Sequence, residues 1–184
     1  RAEDKTLSTG MFYLGGQRRG YGDSHRGGHG WTDLRKSISE SVNTYYYRLA
    51  LDMGIARIDE YMDRYGFGKV TGVDLSGEIA GILPSPEWKA ANAAKQGKWY
   101  PGDTVITGIG QGFWKTTTLQ LAQATAMLAN NGWVRRPHLV KDMRADFAAA
   151  WTPVPLVPPS RGSAIAAHLQ AVRARAAAEG AEVV

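Results

Sequence analysis

The sequence of 184 residues contains no cysteine and no long apolar segment. Without cysteine, the chain can form neither disulfide bonds nor metal sites that use thiolate ligands. No apolar run approaches the roughly 20 residues that a bilayer-spanning helix needs, and no signal peptide follows Arg1. We therefore expect this chain to carry no membrane anchor of its own.

Positive charge is present, but it is not concentrated in one patch. The formal net charge is +5, and the short basic clusters QRRG, VRRPH and VRAR contain no interleaved aromatic residues. Nucleic-acid-binding domains usually cluster their basic residues on one face or along one helix. We therefore predict that the chain does not bind nucleic acid, although its excess positive charge would suit an anionic polymer.

The segment 31–54 predicts two helices separated by a short break. Apolar residues recur at helical spacing on both sides of the break, at Trp31, Leu34, Ile38, Tyr46, Leu49, Ala50 and Met53. Thr32 or Asp33 can cap the first helix, and Gly54 can end the second. Four polar residues that favour caps and turns lie between the two runs, namely Ser39, Glu40, Ser41 and Asn43. We predict that Ser41 and Asn43 are presented at this break.

Three further helices are predicted from their first residues and their periodicity. The segment 55–65 is amphipathic, and the next helix begins at Ser85 with a proline at its first position. Thr117 and Gln120 form the pattern of a capping box. The helix that follows has a predicted apolar stripe of Leu121, Ala124, Met127 and Leu128.

Glycine-rich and proline-rich segments divide the rest of the chain. The composition predicts four segments: a glycine-rich loop over 1–30, a helical core over 31–145, a proline-rich connection over 146–161 and a helix over 162–184. The glycines at 108, 110 and 112 fit no phosphate-binding fingerprint, so we expect close backbone packing there. The predicted fold class is α+β and mainly helical.

The break carries the residues of a known motif. Ser41-Val42-Asn43, followed by Tyr46 and Leu49-Ala50, resembles the second active-site motif of the penicillin-binding proteins, the serine transpeptidases that cross-link peptidoglycan. The order of the later segments is similar to the class B branch, and most closely to its penicillin-binding protein 2 group. Those segments are MGIARIDEYMDRYGFGKVTGVDL, PSPEWK, WYPGDTVITGIGQGFWKTTTLQLAQATAMLANNG and VRRPHLV.

The resemblance implies a D,D-transpeptidase that acts on D-Ala-D-Ala stem peptides and is acylated by β-lactams. It implies that Ser41 relays a proton and that Asn43 binds the acylamino carbonyl of the substrate. The family's nucleophilic Ser-x-x-Lys motif and its Lys-Thr/Ser-Gly motif do not occur in this sequence. We expect both in flanking sequence, with most of the antiparallel sheet, and we expect the 184-residue chain alone to be inactive.

A second hypothesis for Ser41 and Asn43 is that they only cap the second helix. The corresponding hypothesis for the whole chain is a non-catalytic helical module that binds a protein or an anionic cell-wall polymer. The resemblance favours the enzyme. It also implies a role in cell wall biogenesis and cell shape, a location at the periplasmic face of the inner membrane, and an elongation glycosyltransferase as partner.

Candidate metal ligands occur only in the glycine-rich segment. Asp23, His25 and His29 lie close together in sequence, and some relatives in the family have a zinc site that uses an aspartate and a histidine at this spacing. Those relatives place a cysteine where this chain has Val42. We therefore favour a structural loop, and we predict neither a metal nor another cofactor.

Overall fold

The computed structural model describes residues 3–161, 167, 169–171, 173, 174 and 178. Much of the predicted helix 162–184, including His168, therefore lies outside the described residues. Two compact units are present. The first comprises Arg1–Glu60 and Leu83–Trp114, and the second comprises Tyr61–Ile82 and Lys115–Val184.

Helices provide most of the regular structure in the described part of the chain. They are α1 (Leu34–Ser39), α2 (Asn43–Met53), α3 (Ile55–Arg64), α4 (Pro86–Asn92), a 3-10 turn (Ala94–Gln96), α5 (Pro101–Thr107) and α6 (Thr118–Ala129). This confirms the predicted α+β class with helices dominating. None of the described helices is long and apolar enough to cross a membrane.

The strands are short and form antiparallel pairs. In the first unit, β1 (Thr6–Ser8) pairs with β4 (Gly30–Thr32), and β2 (Met11–Tyr13) pairs with β3 (Gly20–Gly22). In the second unit, β5 (Trp133–Val134) pairs with β8 (Ser160–Arg161), and β6 (Asp142–Met143) pairs with β7 (Thr152–Pro153). We expected a loop over 1–30 and a connection over 146–161. Strands of two or three residues are too short to show the period-two pattern by which a sequence predicts them.

The core of the first unit lies where α2 packs against α5. Val42, Ala50 and Val105 are buried there. A Cβ added at Gly108 would meet the Ala50 side chain, which confirms the close packing expected at this glycine, whereas a Cβ at Gly110 would meet nothing within 4 Å, so the expectation was wrong there. The sequence did not predict α5, because its β-branched residues favour strands. Pro101 and the Asp103 carboxylate, which accepts a hydrogen bond from the Tyr100 backbone nitrogen at 2.8 Å, nevertheless begin a helix.

The second unit is organised around α6. The predicted capping box is confirmed, because the Thr117 hydroxyl accepts from the Gln120 backbone and the Gln120 amide oxygen accepts from the Thr117 backbone. The predicted apolar stripe is partly wrong, since Leu121 and Leu128 are 57% and 47% exposed. The buried face contains Gln120 instead, together with Ala124 and Met127. A glutamine is tolerated there because its amide donates to the backbone carbonyls of residues 69 and 80.

Candidate functional site

The predicted break between two helices is present, and Ser41 lies within it. Asp33 caps α1 by accepting a hydrogen bond from the Lys36 backbone, and α1 ends at Ser39. Ser41 has a φ of 52°, which lies in the left-handed region. Residues other than glycine, asparagine and aspartate seldom adopt this backbone conformation. α2 then begins at Asn43.

Val42 fixes the direction of the turn. Its side chain is fully buried, and its backbone nitrogen donates to the Ser37 carbonyl oxygen at 3.0 Å. Burial of this one apolar residue leaves its neighbours on the other side of the chain, where Ser41 is exposed and Asn43 is half-buried. This alternation of exposed, buried and half-buried residues at 41, 42 and 43 therefore leaves Ser41 and Asn43 accessible together.

Ser41 and Asn43 line an open depression of about 360 Å³. Its other lining residues come from α1, from α2 and from the end of α5, and they are Ser37, Ile38, Tyr46, Gly108 and Ile109. The Ser37 and Tyr46 hydroxyl oxygens lie 3.2 Å apart, within hydrogen-bond distance. The depression thus offers hydroxyl and amide groups together with aliphatic surface.

A buried carboxylate lies behind this turn. Asp23 accepts hydrogen bonds from the backbone nitrogens of Asn43 at 2.8 Å and Thr44 at 3.2 Å. Burial by itself raises the pKa of the Asp23 carboxyl, but hydrogen bonds from Thr44, Ser8 and Ser24 outweigh it and lower the pKa to about 2. Asp23 is therefore an anion at neutral pH, at the positive end of α2.

Each of the three candidate metal ligands has another partner in the structure, and Nε2 of His29 lies 3.9 Å from the Asp23 carboxylate. Asp23 is engaged by the α2 backbone, His29 lies 2.8 Å from the Glu40 carboxylate, and His25 lies 3.2 Å from the Gly28 carbonyl oxygen. Val42, at the position where some relatives have cysteine, supplies no ligand atom. Within the described part of the chain, no three histidine, aspartate or glutamate side chains are arranged to hold a metal ion.

Comparison with known protein families identifies the domain to which this site belongs. The family model of the penicillin-binding protein transpeptidase domain matches residues 2–180. The chain belongs to this transpeptidase family. The predicted resemblance to penicillin-binding proteins is thereby confirmed.

Relatives within the family show how much of the transpeptidase this chain represents. The chain is 41% identical over 137 residues to the peptidoglycan D,D-transpeptidase MrdA of Escherichia coli K12. The aligned region covers 74% of this chain and 21% of that protein. It therefore spans about a fifth of the length of this curated relative.

Solved structures show the same transpeptidase fold. Pseudomonas aeruginosa PBP2 in complex with WCK 5153 matches with a TM-score of 0.69 and 38% identity, over 94% of this chain and 39% of that one. Helicobacter pylori PBP2 in complex with MreC matches with a TM-score of 0.75 and 30% identity, over 94% of this chain and 30% of that one. The likeness to the penicillin-binding protein 2 group is thus confirmed in sequence and in structure.

Several residues of the candidate site were missed from the sequence. Gly108 and Ile109 reach the depression from α5, more than 60 positions beyond Asn43, and only the close-packing expectation at the glycines pointed toward them. The contact of Asp23 with the α2 backbone was also missed. Its only indication was that Val42, at the N-cap position, has no side-chain oxygen to cap a helix.

Proposed function

We propose that this chain is the part of a peptidoglycan D,D-transpeptidase that carries the Ser-x-Asn motif. The observation that carries the proposal is the left-handed turn at Ser41, which sets Ser41 and Asn43 beside an open depression at the junction of α1, α2 and α5. The family match over residues 2–180 supports it. The complete enzyme would cross-link stem peptides that end in D-Ala-D-Ala.

The proposed reaction has two steps through an acyl-serine. The nucleophilic serine oxygen bonds to the carbonyl carbon of the penultimate D-alanine, the peptide C–N bond breaks, and the leaving nitrogen takes up a proton. An amine of a second stem peptide then attacks the ester and regenerates the serine. A β-lactam enters the same first step through its ring amide and remains attached.

Ser41 and Asn43 have distinct roles in this proposal. The Ser41 hydroxyl can both donate and accept a hydrogen bond, so it can pass a proton to the leaving nitrogen. The Asn43 side-chain amide can donate a hydrogen bond to the acylamino carbonyl of a stem peptide or a β-lactam. Asn43 would therefore bind substrate, and Ser41 would take part in the proton transfer.

Two further motifs are needed for this chemistry, and neither occurs in the 184 residues. Ser-x-x-Lys would supply the nucleophile and a lysine beside it, and Lys-Thr/Ser-Gly would hold the substrate carboxylate and help form the oxyanion site. We propose that both belong to the rest of the protein, because the 137 aligned residues make up only 21% of the Escherichia coli relative.

The proposed setting is the periplasmic face of the bacterial inner membrane, where the enzyme would act in cell wall biogenesis and cell shape. A glycosyltransferase that polymerises glycan strands is the proposed partner, because cross-linking requires newly made strands. The Helicobacter pylori relative was solved as a complex with MreC. We propose that this protein also works within an assembly.

Covalent labelling tests the proposal. The full-length protein that carries this chain is incubated with a fluorescent penicillin and examined by intact mass spectrometry and gel fluorescence. A single drug-sized mass increment supports the transpeptidase. Lack of an adduct on the folded full-length protein would instead favour the non-catalytic helical module.

A further inference from the structure

The carboxylate of Asp23 replaces a helix cap that the local sequence does not supply. Val42 occupies the N-cap position of α2 and makes no side-chain capping hydrogen bond. The first backbone N–H groups of an α-helix have no partner within the helix. Asp23 accepts hydrogen bonds from two of them, at Asn43 and Thr44, although it lies about 20 positions earlier in the chain.

Asp23 is itself held from the opposite side. Its side chain is 0% exposed, the Ser8 hydroxyl donates to it at 2.7 Å, and the Ser24 backbone nitrogen donates at 2.8 Å. Ser8 belongs to β1, and its hydroxyl also accepts a hydrogen bond from the His29 backbone nitrogen at 3.1 Å. The position of the carboxylate is therefore defined by Ser8 of β1 and by its neighbour Ser24.

The same loop also contacts the residue on the other side of Ser41. Nδ1 of His29 lies 2.8 Å from the Glu40 carboxylate, and the Lys36 ammonium donates to the His29 carbonyl oxygen at 2.6 Å. Ser41 is thus flanked by two residues, Glu40 and Asn43, that the loop 23–29 holds in place. A residue with a positive φ needs such surrounding contacts, because its own backbone preference favours other conformations.

We propose that Asp23 is a positioning residue of the transpeptidase site, which fixes the Ser41–Asn43 turn through the first backbone N–H groups of α2. The proposal rests on the proposed function. Asp23 touches no substrate; it acts by setting where the Asn43 amide and the Ser41 hydroxyl point. In this chain the Asp23 carboxylate, with Ser8 and Ser24 donating to it, holds the turn.

The test is Asp23→Asn in the full-length protein, which keeps the size of the side chain but removes one acceptor oxygen and the charge. Reaction with a fluorescent penicillin is followed at several drug concentrations, and rates are referred to the fraction of protein that can be labelled. We expect the first-order acylation rate constant to fall about tenfold, the size of effect that loss of one cap contact can have. The apparent affinity for the drug should change less.

Asp74→Asn is the matched control. Asp74 likewise accepts hydrogen bonds from two consecutive backbone nitrogens, at Leu139 and Val140, but it lies in the second unit and lines no part of the candidate site. Asp74→Asn should lower the melting temperature and leave the acylation rate constant within about twofold of wild type.

Ser8→Ala removes one hydrogen bond to Asp23 and should slow acylation by about two- to threefold. This variant replaces Asp23→Asn in the test if Asp23→Asn does not fold.

The outcomes separate this inference from the proposed function. If Asp23→Asn and Ser8→Ala lower only the melting temperature while their acylation rate constants equal that of wild type, Asp23 is a folding residue and the inference is wrong. If the wild-type protein itself is not acylated, the proposed function fails before the variants are compared.

Discussion

Gly108 at the end of α5 lies against Ala50 of α2, so that a Cβ at position 108 would overlap the Ala50 side chain and lie 3.0 Å from the Tyr46 carbonyl oxygen. This approach brings Gly108 and Ile109 to the depression that Ser41 and Asn43 line. The shape of the candidate site therefore depends on the close packing of α2 and α5 at Gly108.

Gly108→Ala should destabilise the protein by about 1–3 kcal/mol, because α2 and α5 must separate to make room for the methyl group. The change would also move Ile109 relative to Asn43, so acylation by penicillin should slow in the full-length protein. Urea unfolding and labelling rates measure the two effects. Gly15→Ala is the control, since a Cβ there meets nothing within 4 Å; equal effects of the two changes would contradict the packing argument.

Lys89 provides a second prediction, because it is a buried ion-pair partner. Its ammonium lies 2.8 Å from the Asp103 carboxylate, donates to the Lys98 carbonyl oxygen, and is 2% exposed. Lys89→Met leaves the partly buried Asp103 carboxylate without its cation and should lower the free energy of unfolding by about 3 kcal/mol, at the low end for a buried pair because Asp103 is 20% exposed and keeps the Tyr100 backbone donor.

The control for Lys89 is an ion pair at the surface. Lys69 pairs with Asp63, and both side chains are about half exposed. Lys69→Met should cost less than about 1 kcal/mol, since exposed pairs contribute little to stability. Similar urea unfolding midpoints for the two variants would contradict the claim that burial makes the Lys89 pair more important for stability.

Gln120 should be essential for the stability of the second unit. Its side chain is 1% exposed, and its amide nitrogen donates to the carbonyls of Lys69 and Ala80. Gln120→Leu removes both donors and should cost about 1–3 kcal/mol for each carbonyl left unsatisfied. Gln123→Leu on the same helix, whose side chain makes one long contact of 3.3 Å at the surface, should be nearly neutral in the same unfolding measurement.

The contribution of Asp23 to stability should depend on pH in a defined window. Because its pKa in the folded protein is about 2, below the value of about 3.9 for an unfolded chain, folding favours the anion. The stabilisation is therefore complete above pH about 4 and is lost as the pH falls through about 2. The difference in unfolding free energy between wild type and Asp23→Asn should stay constant from pH 7 to 5 and shrink below pH 4. A difference that persists unchanged to pH 2 would contradict the lowered pKa.

Local sequence patterns predicted the helical parts well where the determining residues are neighbours. The Asp33 and Ser85 caps and the Thr117–Gln120 capping box all depend on contacts between residues three positions apart. Such contacts are visible in a linear sequence, because side-chain chemistry and spacing alone determine them.

The remaining features depend on contacts between distant residues. α5 forms although its β-branched residues favour a strand, because its buried face packs on α2. Gln120 is buried although glutamine is usually exposed, because two carbonyls from residues 69 and 80 accept its protons. The Asp23 cap requires Ser8 of β1, a strand of three residues that is too short to be recognised by its pattern. The roles of Ser41 and Asn43 in catalysis stay predictions.

Acylation of the complete protein tests the central claim most directly. Wild type, Asn43→Ala and the 184-residue chain alone are incubated with a fluorescent penicillin, and intact masses are recorded over time. We predict one drug adduct on the full-length wild type, slower formation on Asn43→Ala by about 10- to 100-fold, and none on the 184-residue chain, which has no Ser-x-x-Lys motif. A full-length protein that is folded but unlabelled, or an Asn43→Ala variant labelled as fast as wild type, would contradict the account.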